Sequence, residues 1–420
     1  MLNADSIFVL AGFVGLWPLL MTFVWVFGGY AYYRLHEAGQ PDYRSLPDLR
    51  NAPKVSVLVP CYNEEDNAEE TLRACAAQVY PDFEIIAIND GSRDATAAVL
   101  DRLMAEIPNL RVVHLAQNQG KAMALRAGAL AATGEVLVCI DGDAILHPHC
   151  VAWLAHRFNE RPRLAAVTGN PRIRNRSSIL GLLQVGEFSA TIGLIKRTQR
   201  VDGRIFTVSG VIVGFRRAAL HDVGYWTDDN LTEDVDVTWK LQRNRWTVHY
   251  EPNALAYILM PETLKGLWKQ RLRWATGGAQ TYLRYAGHLL HWRDRRMWGV
   301  LIEYSVTLVW CYATAVLLDL ALLLLFGLLP DWQGPLVSVL SVWGLLLSVA
   351  CVLQFAASLA IERRYEPDGA GSFLPLLTVI WYPMAFWLLS TATAVVGFPR
   401  ALAWRGGQRA RWTSPDRGFR

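Results

Sequence analysis

Val136-Leu137-Val138-Cys139-Ile140-Asp141-Gly142-Asp143-Ala144 runs five apolar residues directly into two carboxylates separated by one glycine. A strand that is continuously hydrophobic is buried on both faces, as in a parallel sheet covered by helices. In an open α/β sheet, ligands bind in the crevice at the carboxyl ends of the strands, so Asp141 and Asp143 point at a site. Carboxylates this close repel each other unless a cation or a donor sits between them. Oxygen-only ligands at a turn suit Mg²⁺ or Mn²⁺ holding a diphosphate. Taken alone, the tripeptide reads equally well as a capped turn in which Asp143 starts the next helix.

The flanking sequence decides between these readings. Residues 55–60 form a short apolar run that enters Cys61-Tyr62-Asn63-Glu64-Glu65, followed by a helical pattern to about Gln78. Residues 83–89 form the next strand, ending in Asp90-Gly91-Ser92, and residues 110–114 a third, leading to Asn118-Gln119-Gly120-Lys121 and another helix. Right-handed crossovers put these strand ends on one edge of a mostly parallel sheet, so Glu64, Asp90, Lys121, Asp141 and Asp143 share one crevice. A polar group at every strand end along one edge is hard to explain by packing.

Downstream, residues 164–168 read as a strand, 177–197 as an amphipathic helix, and 205–215 as a strand pair around Ser209-Gly210 that delivers Arg216 and Arg217. The acidic run 228–236 contains Thr232-Glu233-Asp234 at an expected helix start, with Val237, Trp239 and Leu241 spaced as on a helix. A carboxylate there serves a helix dipole as readily as it serves chemistry. Residues 264–286 interleave Trp268, Trp274 and Tyr282 with Lys265, Lys269, Arg271 and Arg273, the pattern of an interfacial helix.

The chain has 420 residues, 52% hydrophobic and 19% charged, with 17 tryptophans. That is too apolar for an ordinary soluble protein. The excess gathers at residues 7–33 and from about 298 onward, where stretches 298–329, 336–361 and 373–398 are each long enough to span a bilayer. The expected layout is therefore a transmembrane helix (1–34), a linker (35–54), a cytoplasmic domain (55–260), interfacial helices (261–296), further spans (297–399) and a basic tail (400–420). The start lacks the positive charge of a secretory signal and reads as a retained anchor. A net charge of +4 gives no support for nucleic acid as a partner. Basic residues cluster near the spans, as in cytoplasmic loops or against anionic lipid. Six cysteines without paired metal spacing read as free thiols. Three crossings after an inside domain would leave the basic tail outside, against the positive-inside rule. Residues 373–398, with Pro375 and Pro383, are therefore expected to be interfacial or re-entrant.

In order along the chain, Val-Pro-Cys-Tyr-Asn-Glu-Glu (59–65), Asn-Asp-Gly-Ser (89–92), Asp-Gly-Asp (141–143), Thr-Glu-Asp (232–234) and Gln-Arg-Leu-Arg-Trp (270–274) resemble the family 2 glycosyltransferases, the inverting, processive polysaccharide synthases of membranes. Segments 114–122, 167–174, 193–200, 260–274 and 411–418 are similar to one bacterial branch, the poly-β-1,6-N-acetylglucosamine synthases of biofilm matrix. The resemblance implies a GT-A type nucleotide-sugar-binding domain, an α/β fold with a mostly parallel mixed sheet, inserted between transmembrane helices of the bacterial inner membrane. It implies that Tyr62, Glu64, Asp90 and Lys121 hold the nucleotide together with Asp141, and that Asp143, with Asp141, holds a divalent metal, Mg²⁺ or Mn²⁺. Asp234 would be the general base, with Glu233 beside it. Gln270, Arg271, Arg273 and Trp274 would meet the diphosphate and the acceptor. The implied partners are UDP-GlcNAc, the growing polysaccharide, membrane lipid and a small accessory membrane subunit. A cellulose, chitin or hyaluronan type synthase, an enzyme adding one sugar to a lipid, and a non-catalytic UDP-sugar sensor remain alternatives. No residue in the sequence reads the N-acetyl group.

Overall fold

The structure is a computed structural model that describes residues 4–201, 203–328, 333–366, 382–404, 406–407 and 409–410. The chain opens with α1 (Ala4–His36), then builds β1 (Val55–Cys61), α2 (Ala68–Ala76), β2 (Phe83–Asp90), α3 (Thr96–Glu106), β3 (Leu110–Leu115), α4 (Lys121–Ala131) and β4 (Val136–Ile140). Strands β1 to β4 are mutually parallel. There follow β5 (Ile145–Leu146), α5 (Cys150–Glu160), β6 (Leu164–Ile173) and α6 (Ile179–Phe188). A π turn (Ser189–Leu194) leads on to α7 (Ile195–Val201), β7 (Ile212–Arg216), α8 (Arg217–Asp222), α9 (Glu233–Arg243) and β8 (Thr247–Ile258). The strands form one mixed sheet in the order β3-β2-β1-β4-β7-β6-β8-β5, with β7 antiparallel to both neighbours and β6 parallel to β8.

Strand alternation explains the continuous apolar runs. Val55, Val57 and Val59 of β1, Ile85 and Ala87 of β2, and Val136, Val138 and Ile140 of β4 pack on one face against Leu72 of α2, Leu100 and Leu103 of α3, and Leu154 and Phe158 of α5. The residues between them, Leu58, Ile86, Ile88, Leu137 and Cys139, pack on the other face against Leu125 of α4, Leu220 of α8, and Val237 and Leu241 of α9. Each of the Val, Leu, Ile and Phe side chains contributes roughly 1.5–3 kcal/mol of burial, so one polar substitution on either face of β4 would open the core. All six cysteines are buried, and none takes part in a disulfide.

Two expectations change. The strand pair expected over 205–215 is the single strand β7. The preceding residues are held as a loop because side chains take their backbone N–H groups: Ile205 donates to Gln242, Phe206 to Gln199, Val208 to Thr238, Ser209 to Thr168 and Gly210 to Asp234. A backbone paired in this way has no donors left for a neighbouring strand. The helix expected over 177–197 is broken by the π turn and wedged between the sheet and α1, with α12 (Gln333–Glu362) on its other side.

Helix α10 (Leu264–Leu289) lies against α9, capped by Thr263 Oγ1, which accepts from Gly266 N at 3.0 Å. The contact needs Gly277, whose missing side chain admits Thr232; a Cβ there would overlap it. Helices α11 (Trp298–Leu325), α12 and α13 (Tyr382–Leu402) complete the described chain. Among the described residues, five helical stretches are long and apolar enough to cross a membrane: Ser6–His36, Ile179–Val201, Trp292–Leu325, Ser341–Tyr365 and Ala385–Leu402. Helix α13 packs chiefly along α10. Residues 373–381 of the stretch expected to be interfacial lie outside the described residues. Pro18 interrupts α1 and removes the N–H that would serve Val14 O; the Trp310 indole of α11 donates to that carbonyl instead, at 2.8 Å.

Candidate active site

The strand ends are positioned by one another before they can position anything else. Asn63, at a positive φ of 54°, donates its N–H to Ser92 Oγ at 3.0 Å and accepts from Arg93 N at 2.9 Å, tying the loop after β1 to the loop after β2. Glu64 N–H donates to Thr96 Oγ1 at 2.8 Å. Asp90 accepts from Gln119 N at 2.7 Å and Gly120 N at 2.9 Å, so it fixes the loop that presents Lys121. Burial raises the Asp90 carboxyl against the pull of those two donors. Gly142 lets the end of β4 approach β1: a Cβ there would stand 2.9 Å from Pro60 O and 3.2 Å from Glu64 Cγ.

A cavity of about 340 Å³ opens beyond these ends, lined by Lys121, Asp141, Asp143, Glu233, Asp234, Gln270, Arg273 and Trp274 among others. Lys121 is its electrostatic centre. Its Nζ lies 2.5 Å from Asp141 Oδ1 and 3.2 Å from Glu233 Oε1, and donates to Gly210 O at 3.0 Å. Burial would lower this lysine, but the Asp141 and Glu233 carboxylates outweigh burial and hold it charged, above its usual range. Burial would likewise raise Glu233, but the Lys121 ammonium, helped by Arg273, holds it below its usual value. Asp234 goes the other way: burial and the adjacent Glu233 carboxylate push it up to about 6. Its Oδ1 accepts from Val235 N at 3.0 Å and its Oδ2 from Gly210 N at 3.3 Å. A carboxylate near neutrality, fixed at a helix start and facing a polar cavity, is suited to take a proton.

The rest of the acidic run has structural work. Asp229 pairs with Arg284 of α10 at 2.5 Å, and the fully buried Asp236 accepts from Arg284 at 3.1 Å and from the Tyr285 hydroxyl at 2.9 Å. Arg273 Nη1 donates to Leu231 O at 3.4 Å while lining the cavity. Trp274, 36% exposed, lies 6.3 Å from Phe188, with the Arg271 guanidinium 4.1 Å from its ring centre. Arg271 itself is turned away from the cavity and paired with Glu187 at 2.8 Å. Tyr62, Glu64 and Asp90 also stand outside the cavity lining, Glu64 beside Gly142 and Asp90 beneath the Gln119-Gly120 loop it fixes. After α13 the chain returns to this edge: Ala410 lines the cavity and donates to Asp228 O at 2.8 Å, and Arg409 contacts Gln119 and Asp228.

For a divalent ion the donor set fits in part and by design. Among the described residues no group of three or more His, Cys, Asp or Glu stands ready to hold a metal. Asp141 and Asp143 supply hard oxygens on either side of one glycine, and a small dication is commonly bound by one or two carboxylates with phosphate oxygens completing its shell. Asp141 pairs with Lys121, and Asp141 and Asp143 both line the cavity.

Sequence reading missed Phe188, Ile192, Lys196, Phe206 and the Ser209-Gly210 bend, all of which line the cavity. The available signal was segment 193–200, noted for its resemblance and given no role.

A family model described as Glycosyltransferase like family 2 matches residues 52–277. The chain is 36% identical over 411 residues to a poly-β-1,6-N-acetyl-D-glucosamine synthase of Staphylococcus epidermidis, covering 97% of this chain and 98% of that one. It is 37% identical over 408 residues to the synthase of that name from Staphylococcus aureus strain MSSA476, with the same coverage. Among solved structures, the mannosyltransferase PcManGT from Pyrobaculum calidifontis, in complex with GDP-Man and Mn²⁺, matches with a TM-score of 0.59 at 19% identity, over 93% of this chain and 99% of that one. At that identity the likeness is one of fold.

Proposed function

The chain belongs to glycosyltransferase family 2, and from that premise we propose that it polymerises N-acetylglucosamine from UDP-GlcNAc into poly-β-1,6-N-acetylglucosamine. The carrying observation is Asp234, held near neutrality and facing the same cavity as Lys121, Asp143 and Arg273. Asp234 takes the proton from the acceptor's 6-hydroxyl as that oxygen attacks the anomeric carbon from the face opposite the diphosphate. One in-line displacement converts an α-linked donor into a β-linked product. Lys121 and Arg273, both in the cavity lining, stabilise the charge that develops on the leaving UDP. A divalent cation held by Asp143 and Asp141 supplies further neutralisation of the diphosphate when bound. Tyr62, Glu64 and Asp90 form and brace the uridine side, and Trp274 offers its face to the acceptor sugar, with Gln270 beside it and Arg271 holding the indole in place.

The apolar helices support a multi-pass protein of a bacterial inner membrane, with the sheet domain on the cytoplasmic side, where UDP-sugars are made. Basic segments near the helices suit anionic lipid, and a small membrane subunit is the expected partner. The decisive test is Asp234→Asn. Membranes carrying the variant should make no polymer while still binding UDP-GlcNAc, and the parent should release UDP from UDP-GlcNAc in preference to UDP-glucose. Polymer formation by the variant, or a product without β-1,6 linkages, would overturn the reading.

A further inference from the structure

Two of the sequence segments left without a role, 167–174 and 193–200, meet at the cavity wall. Lys196, on α7, is 3% exposed and lines the cavity. Its Nζ donates to Thr168 Oγ1 of β6 at 3.1 Å, and among the described residues it has no further hydrogen bond and no ion pair. Lys121, the other cavity lysine, has two carboxylates. A lysine nitrogen carries more donors than one, so Lys196 brings unspent hydrogen-bonding capacity to an enclosed site, an arrangement costly to maintain without a ligand.

The placement is built. Thr168 Oγ1 also accepts from Ser209 N at 2.8 Å, and the next residue, Gly210, donates to Asp234 and accepts from Lys121. One bend of chain thus links the Lys196–Thr168 pair to the base and to the diphosphate side. The π turn between α6 and α7 widens the helix so that Phe188, Ile192 and Lys196, four residues apart, all line the cavity. Ile258 and Met260 stand in the same lining. The wall therefore offers a hydrogen-bond donor beside a small apolar surface, joined to Asp234 through the Ser209-Gly210 bend.

That combination matches an acetamido group: a carbonyl oxygen to accept from the lysine, and a methyl group to rest on Ile192 and its neighbours. We propose that Lys196, anchored by Thr168, is the residue that binds the acetamido carbonyl of the acceptor's terminal sugar and so selects N-acetylated over free-amine acceptors. This rests on the poly-N-acetylglucosamine reading. The acetamido group of the donor has the same chemistry. The acceptor is favoured because the charged group whose field reaches Lys196 is Asp234, and not Asp141, Asp143 or Glu233 on the diphosphate side.

The test uses the full-length protein in nanodiscs, with UDP-GlcNAc and short β-1,6-linked glucosamine oligomers, either fully N-acetylated or fully de-N-acetylated. The wild-type arm tests the underlying reading: failure to extend the N-acetylated oligomer would overturn that reading whatever Lys196 does. In Lys196→Met the preference for the N-acetylated oligomer in kcat/KM should fall at least tenfold, mainly through acceptor KM. The KM for UDP-GlcNAc, measured by acceptor-free UDP release, should stay within twofold. An unchanged acceptor preference would overturn the proposal, and a matching rise in donor KM would move the contact to the donor and overturn it equally. Thr168→Val, which removes only the anchoring hydroxyl, should shift the preference in the same direction by a smaller factor. If Lys196→Met does not fold, as judged by thermal unfolding in the nanodisc, Thr168→Val decides alone, and an unaltered preference there refutes the assignment.

Discussion

Replacing Glu233 by Gln separates the electrostatics of the base from its position. Asp234 is raised from 3.8 to about 6 by burial first and by the Glu233 carboxylate second. That rise corresponds to ~3 kcal/mol between its two protonation states. The opposing pull of Lys121 and Arg273 persists in the variant. The base works ionised, so activity falls as pH drops through about 6. Glu233→Gln removes the second cause of the rise and should move that acid limb downward, toward the ordinary value of 3.8. At pH 5, roughly one-tenth of wild-type sites carry an ionised base, so relative to its own plateau the variant should be faster there, by at most about tenfold. The measurement is incorporation of labelled N-acetylglucosamine at limiting acceptor from pH 4.5 to 8.5, with UDP-GlcNAc binding followed in parallel. An acid limb that stays at 6 or moves upward would refute the assignment of Asp234 as the titrating base. The raised pKa also carries a sign for stability: the native state holds this proton more tightly than the unfolded chain, so its contribution is lost as pH rises from about 4 through 6.

Asp143→Ala should weaken nucleotide binding in the presence of Mg²⁺ or Mn²⁺ by at least tenfold and leave the weak metal-free binding unchanged, as read by calorimetry with each ion and with EDTA. Trp274→Ala should reduce elongation more than donor hydrolysis, so product length should shorten while UDP release persists; equal losses would indicate a purely structural indole. Glu362→Gln should destabilise the protein by about 3 kcal/mol, the lower end for breaking a buried ion pair, because Arg197 and Arg172 each keep one other carboxylate. Thermal unfolding in detergent would read that loss, and an unchanged midpoint would contradict the network.

The parallel half of the sheet was legible because β1, β2 and β4 are buried on both faces and end in polar residues, so hydrophobic continuity and punctuation coincide. The proposed base was marked only by its motif: nothing in the run 228–236 tells Asp234 from Asp236, and the difference is that Arg284 and Tyr285 reach one and not the other. Strand β8 was hidden by Pro252 and Asn253, which break the pattern of a central strand. The structure absorbs them in a shift of register, with Thr168 opposite Tyr250 and Asn170 opposite Leu255, and Asn170 Nδ2 donates to Pro252 O at 3.2 Å. The loop over 205–211 was misread because its partners are side chains distant in sequence, and alternation of apolar residues does not reveal what a backbone N–H will bond to.

The same limit applies to the feature that joins the two halves of the molecule. Glu37 closes α1, Arg197 lies on α7, Arg172 on β6 and Glu362 ends α12, and all four are buried together. Arg197 pairs with Glu37 at 2.6 Å and with Glu362, Arg172 pairs with Glu362 and Glu366, and the Tyr365 hydroxyl donates to Glu37 at 2.6 Å. Burying so many charges costs several kcal/mol per ion before pairing offsets it, so the network is a poor device for stability alone. What it fixes is geometry: every partner comes from a different element, and the set closes only when α1 and α12 sit correctly against the sheet. Helix α7 carries both functions on adjacent residues, with Arg197 in the network and Lys196 in the cavity. The apolar helices therefore bear directly on the part of the cavity wall that carries Lys196, and a shift of α1 or α12 would be felt there. A catalytic domain evolved to work free of its membrane helices would have no reason to keep these charges buried.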